Sequence, residues 1–111
     1  MRWPENNNEY QIIESDQLEK SSGRLNEAEL RVYKEKLTYL SRNPRHPSLS
    51  TKPLHPSSKR KKQLAQQGVS QVYEFYINRK QWRCILYIYD EQKVVYVVGI
   101  MNHGEVIRHM K

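Results

Sequence analysis

The sequence predicts an α+β domain in which helices pack on a small, twisted antiparallel sheet ending in a three-strand β-meander. Three observations predict it. Residues 72–100 hold three runs rich in aromatic and β-branched residues, Val72–Asn78, Trp82–Tyr89 and Val94–Ile100, separated by two short polar loops. A capped amphipathic helix pattern precedes them. A length of 111 residues is that of one domain, so 1–111 is read as a single unit with one modest core. The hydrophobic fraction of 37% is low, yet it is concentrated in these runs, which separates the chain from disordered sequences.

Each element has its own warrant. Residues 1–9 are polar and read as a disordered tail in which Trp3 has no assigned contact. Tyr10–Glu14 alternates as a short strand that would add to an edge of the meander. Ser15 is placed to cap a short helical stretch through Leu18 and Lys20, ended by Ser21-Ser22-Gly23. The principal helix spans 26–42. Asn26 and Glu29 fit a capping box, and Leu30, Tyr33, Leu37 and Leu40 form one apolar stripe. Asn43 precedes Pro44 and resists helical geometry, which stops the helix near Arg42.

Residues 43–58 carry four of the five prolines and read as a stiff loop pinned by Leu49 and Leu54. Residues 58–67 fit a short helix ended by Gly68, or alternatively a solvated basic patch. In the meander, Tyr73, Phe75 and Ile77 share one face, and Val72, Glu74 and Tyr76 the other. Arg83, Ile85, Tyr87 and Tyr89 oppose Trp82, Cys84, Leu86 and Ile88. Val94, Tyr96, Val98 and Ile100 oppose Val95, Val97 and Gly99. Both faces are largely apolar, so both should be covered.

Charge is segregated. Between Lys36 and Tyr73 there are eight Lys or Arg and no Asp or Glu, so that window carries +8 against a net charge of +7 for the chain. Such a field draws polyanions, and an acidic protein partner fits it equally. No run approaches the roughly 18 apolar residues that span a bilayer, and no apolar leader segment is visible, so a cytoplasmic protein is expected. The single Cys84 excludes an internal disulfide and the multi-cysteine zinc sites, and its place in a strand makes it a buried hydrophobe.

Two residues break the apolar pattern or follow it. Arg83 is a cation at the start of a central strand and needs a partner: Glu74 on the neighbouring strand, or a phosphate. His103 follows the last strand, either as polar surface or as a general acid or base.

The ordered set of the helix, Asn43-Pro44-Arg45-His46-Pro47-Ser48-Leu49, Tyr73-Glu74, Trp82-Arg83 and His103 resembles the RelE/ParE toxin superfamily of type II toxin–antitoxin modules, over about residues 30–107. Residues 1–25 match no pattern of that family, and 57–67 is longer than its usual link. The resemblance implies helices on a twisted antiparallel sheet. It also implies a metal-independent mRNA endoribonuclease, associated with the ribosome, that needs no cofactor, binds no membrane and pairs with an acidic antitoxin. Arg83, His103 and, more loosely, Arg108 match the catalytic positions. Arg45, His46, Lys52, Lys59, Arg60, Lys61 and Lys62 would hold the RNA backbone, and Trp82 would stack a base. Ile107 stands where RelE-like enzymes often keep Tyr or Phe. The resemblance also admits a ParE-like inhibitor of DNA gyrase, or a member that only binds nucleic acid or antitoxin.

Overall fold

The computed structural model describes residues 9–78 and 81–111. Apart from Glu9, the expected polar tail with Trp3 lies outside the described residues, as do Arg79 and Lys80 of the first meander loop. In chain order the elements are β1 (Gln11–Glu14), α1 (Asp16–Ser22), α2 (Glu27–Arg42), a 3₁₀ turn (Pro47–Leu49), β2 (Lys52–Pro53), α3 (Ser58–Gln66), β3 (Gln71–Asn78), β4 (Trp82–Tyr89), β5 (Val94–Met101) and α4 (His103–His109).

The five strands form one sheet in the order β1-β5-β4-β3-β2. The meander β3–β4–β5 is antiparallel throughout, and β2 adds to β3 antiparallel, with Lys52 opposite Glu74. β1 takes the expected edge position, but it runs parallel to β5, from Gln11 beside Val94 to Glu14 beside Val97, so the sheet is mixed. The cause lies at its start. The Tyr10 hydroxyl donates to Asp90 (2.7 Å) and the Gln11 amide to the Lys93 carbonyl (2.8 Å), which fixes the strand's entry at the β4–β5 turn, where β5 also begins.

Helices cover both faces, as the two-sided apolar strands require. On one face α1 and α2 bury Leu18, Tyr33 and Leu40 against Phe75, Cys84, Leu86 and Val97. On the other, Leu64 of α3 and Val106 of α4, with Met110, pack on Val72, Ile85 and Tyr87. The α2 prediction holds at both ends. The Asn26 side chain accepts from the Glu29 amide (2.8 Å), Glu29 accepts from the Asn26 amide (3.0 Å), and Asn43 is extended at φ −163° before Pro44. α3 is helical as one of the two readings proposed, and Gly68 past its end sits at φ +89°, where a side chain is strained.

Three features depart from the sequence reading. Ser15 precedes α1 but does not cap it with its side chain; its hydroxyl donates to the Val98 carbonyl at 2.6 Å. Strict alternation in β5 fails, because the register shifts opposite Ile85 and Leu86. An extra residue there turns Ile100 to the α2 face with Val95 and Val97, and turns Met101 to the face of Tyr96 and Val98. Finally, residues 103–109 form a helix, although the tail was read without one. Its signal was Asn102 followed by Glu105: Asn102 accepts from the Glu105 amide (2.9 Å) and Glu105 from the Asn102 amide (3.0 Å). Among the described residues no helix is long and apolar enough to cross a membrane.

Candidate functional site

The meander register sets the site. Arg83 and Tyr76 are directly opposed across β3 and β4, on the face that carries α3 and α4. Glu74 lies two residues along β3 on the same face. The β5 bulge brings Met101 to this face opposite Arg83, and α4 starts two residues later with His103. One extra residue in β5 thus decides which side of the sheet receives the histidine.

Arg83 Nη1 and His103 Nδ1 are 2.6 Å apart. A guanidinium has only donors, so Nδ1 accepts, and the imidazole in this arrangement is neutral with its proton on Nε2. Arg83 Nε stands 3.9 Å from Glu74 Oε1, a long ion pair in which neither atom has a hydrogen-bond partner among the described residues. Glu74 is 7% exposed and is the buried charged residue of the described core. The Glu74 reading of Arg83 is met by this long pair at Nε, while its Nη1 reaches the histidine. Arg83 Cζ lies 5.0 Å from the Tyr76 ring centroid, and Lys52 Nζ lies 5.0 Å from the same centroid. Tyr76 is a shared platform for two cations.

These groups open into a groove of about 370 Å³, lined by Leu54, His55, Glu74, Tyr76, Arg83, His103, Val106, Ile107 and Met110. Its lining mixes these polar groups with aliphatic side chains. His55 is exposed and makes no hydrogen bond or ion pair to the described residues. An anion entering here is repelled by Glu74 and attracted by Arg83 and Lys52.

The other candidate residues distribute as follows. Arg45 is committed elsewhere. It donates to Asp90 (3.1 and 3.2 Å), Gln71 (3.0 Å) and the Tyr73 hydroxyl (3.0 Å), and the Asp90 hydrogen bond pushes its pKa up. His46 accepts from the Ser48 amide (3.0 Å) and packs on Tyr39. Trp82 packs on the α1–α2 face with the Arg24 guanidinium 5.1 Å from its ring centroid. Arg108 is exposed on α4 and is not among the groove's lining residues. Arg60 donates to the Tyr87 hydroxyl (3.2 Å), whereas Lys59, Lys61 and Lys62 are exposed along α3. Cys84 is fully buried, and burial pushes its thiol pKa up, as befits an inert core residue. Tyr76 and His55 were not singled out from the sequence. The available signal for Tyr76 was its position on the Glu74 face, opposite the start of the next strand.

No protein-family model and no curated protein sequence matches the chain. Solved structures do. An archaeal RelE from Pyrococcus horikoshii, in complex with RelB, superposes with a TM-score of 0.65 at 18% identity, covering 86% of this chain and 96% of that one. The chain has the RelE toxin fold. A mutant of the E. coli toxin RelE in the free state gives 0.62 at 16% identity over 92% and 93% of the two chains. YafQ in the E. coli DinJ–YafQ toxin–antitoxin complex gives 0.60 at 18% over 88% and 97%. These RelE-like structures are matched along nearly their whole length.

Proposed function

We propose that this chain is the toxin of a type II toxin–antitoxin module and acts as an mRNA endoribonuclease. The observation that carries the reading is the 2.6 Å pairing of Arg83 with His103 in an open groove, in a chain with the RelE toxin fold. RNA supplies its own nucleophile. The 2′-hydroxyl attacks the adjacent phosphorus, the P–O2′ bond forms, the P–O5′ bond breaks, and the proton of the 2′-hydroxyl must leave while the 5′-oxygen gains one. His103, neutral with its proton on Nε2, donates a hydrogen bond from Nε2 that stabilises the charge growing on the departing 5′-oxygen, and solvent water gives that oxygen its proton. His55, unpartnered across the groove, is the group available to take the 2′ proton. Arg83 and Lys52 stabilise the charge that builds on the phosphorane oxygens. No step in this scheme calls for a metal ion or cofactor. An acidic antitoxin and mRNA on the ribosome are the partners this reading assigns.

The test is induced expression in a bacterium, scored for growth arrest and mRNA cleavage, beside Arg83→Ala and His103→Ala. Loss of the His103 donor and loss of the Arg83 guanidinium are each expected to slow cleavage by roughly 10²–10³-fold. The reading is wrong if wild type is harmless. It is equally wrong if both variants still arrest growth while mRNA stays intact; gyrase inhibition would then be sought by assaying supercoiling.

A further inference from the structure

Residues 15–24, which match no family pattern, reach the site through a different route. β1 pairs with β5 only as far as Val97. Beyond that point α1 and its flanks take over the exposed edge of β5. The Ser15 hydroxyl donates to the Val98 carbonyl (2.6 Å), the Ser21 hydroxyl accepts from the Ile100 amide (3.1 Å), and Arg24 Nη1 lies 3.4 Å from the Ile100 carbonyl. These are backbone groups of β5 beyond the end of β1. Arg24 then makes a two-toothed pair with Glu105, Nη1 on Oε1 and Nη2 on Oε2 (2.9 Å), with its guanidinium over Trp82. Glu105 is two residues beyond His103, and Trp82 is the neighbour of Arg83.

We propose that Arg24 is a positioning residue for His103, holding the first turn of α4 so that the imidazole stays on Arg83. The role rests on the nuclease reading for its catalytic consequence, though not for its geometry. α4 has seven residues, well below the roughly 12–15 at which an isolated helix becomes even marginal. Its far end is anchored by buried Val106 and Met110 and by the Ser57 amide on the Met110 carbonyl (2.8 Å). Its near end, where His103 sits, has the capping box and Arg24. A surface ion pair adds little to global stability, but a forked one adds direction. Here it fixes the turn that carries His103. Glu105 is also held ionised, its pKa pulled down to about 2 by Arg24 first and then by the Asn102 amide. The pair therefore persists over the whole pH range in which RNA cleavage is measured.

The experiment uses the full-length chain with Arg24→Ala, Arg24→Lys, Glu105→Gln and the Arg24→Ala/Glu105→Gln double variant. Glu105→Gln keeps the oxygen that caps Asn102 and loses the charge. Two quantities are read: kcat and KM for cleavage of an mRNA, and the ¹⁵N shift of His103 Nδ1, which reports whether that nitrogen accepts a hydrogen bond. Arg24→Ala and Glu105→Gln are expected to lower kcat by roughly ten- to a hundredfold with KM little changed. The double variant should be no worse than the worse single, and the Nδ1 resonance should move towards that of a free imidazole nitrogen. Arg24→Lys keeps charge without the fork and falls between. Additive losses, or an unmoved Nδ1 resonance, overturn the positioning role. Wild type that cleaves no RNA overturns the nuclease reading alone, since the ¹⁵N shift still decides whether Arg24 holds His103.

Discussion

At the scale of single residues the second polar cluster, Arg60–Tyr87–His109, makes the sharpest prediction. The Tyr87 hydroxyl accepts from Arg60 (3.2 Å) and lies within hydrogen-bond reach of His109 Nε2 (2.6 Å). Burial, and secondarily the Arg60 cation, pull the His109 pKa below its ordinary value. The sign follows. Unfolded His109 takes up a proton near pH 6.5 while the folded one resists. The unfolded state then binds more protons, and stability falls as the pH drops below about 6.5. Urea unfolding at pH 7.5 and 5.5 should show this loss, and His109→Phe should flatten the slope by up to one proton. An unchanged slope in that variant would contradict the assignment. Residue scale is also where sequence legibility was uneven. Arg83 and His103 stood out because each departs from an apolar pattern. Tyr76 and His55 did not, since a tyrosine in a strand and a histidine in a proline-rich loop are ordinary until the fold places them around one groove.

Elements differ in how firmly the sequence writes them. α2 was legible from end to end because sixteen residues hold a stripe, a capping box and a stop. The meander was legible from composition and loops. α4 escaped because seven residues hold too few repeats to show a period, and the β5 bulge escaped because one inserted residue leaves composition untouched. The same contrast predicts behaviour. Asn26→Ala and Asn102→Ala each remove one capping oxygen and should each cost about 1 kcal/mol of stability. α2 is held by buried Tyr33 and Leu40 and should keep its amides protected from exchange with solvent. α4 should fray from its first turn, so Asn102→Ala should speed exchange at Glu105 and Val106 and reduce RNA cleavage, while Asn102→Asp keeps both. Equal protection of α4 in wild type and Asn102→Ala would show that its far anchors alone suffice.

For the whole molecule, the basic window that the sequence presents as one field is divided by the fold. Arg45 is neutralised by Asp90, Lys36 reaches the Leu49 carbonyl (3.3 Å), and Arg60 turns inward to Tyr87. Exposed and without a hydrogen bond or ion pair among the described residues are Arg42, Lys52 beside the groove, and Lys59, Lys61 and Lys62 along α3. A linear run of charge in the chain has become an outward ridge on α3 and several cations held by local partners, which charge counting cannot distinguish. If the ridge carries the RNA backbone, its contribution is to encounter and affinity, and the chemistry stays with Arg83 and His103. Replacing Lys59, Lys61 and Lys62 together by Glu should therefore raise KM for RNA and leave kcat nearly constant. Each lost phosphate contact should also flatten the dependence of log affinity on log salt by roughly 0.7, the value for single strands. Arg45→Gln is the matched control. It removes a cation from the same window but one already paired with Asp90 at the surface, so it should lower stability only slightly and leave the salt slope as it was. A steep salt slope that survives the triple substitution, or one lost in Arg45→Gln, would place the RNA path on another face.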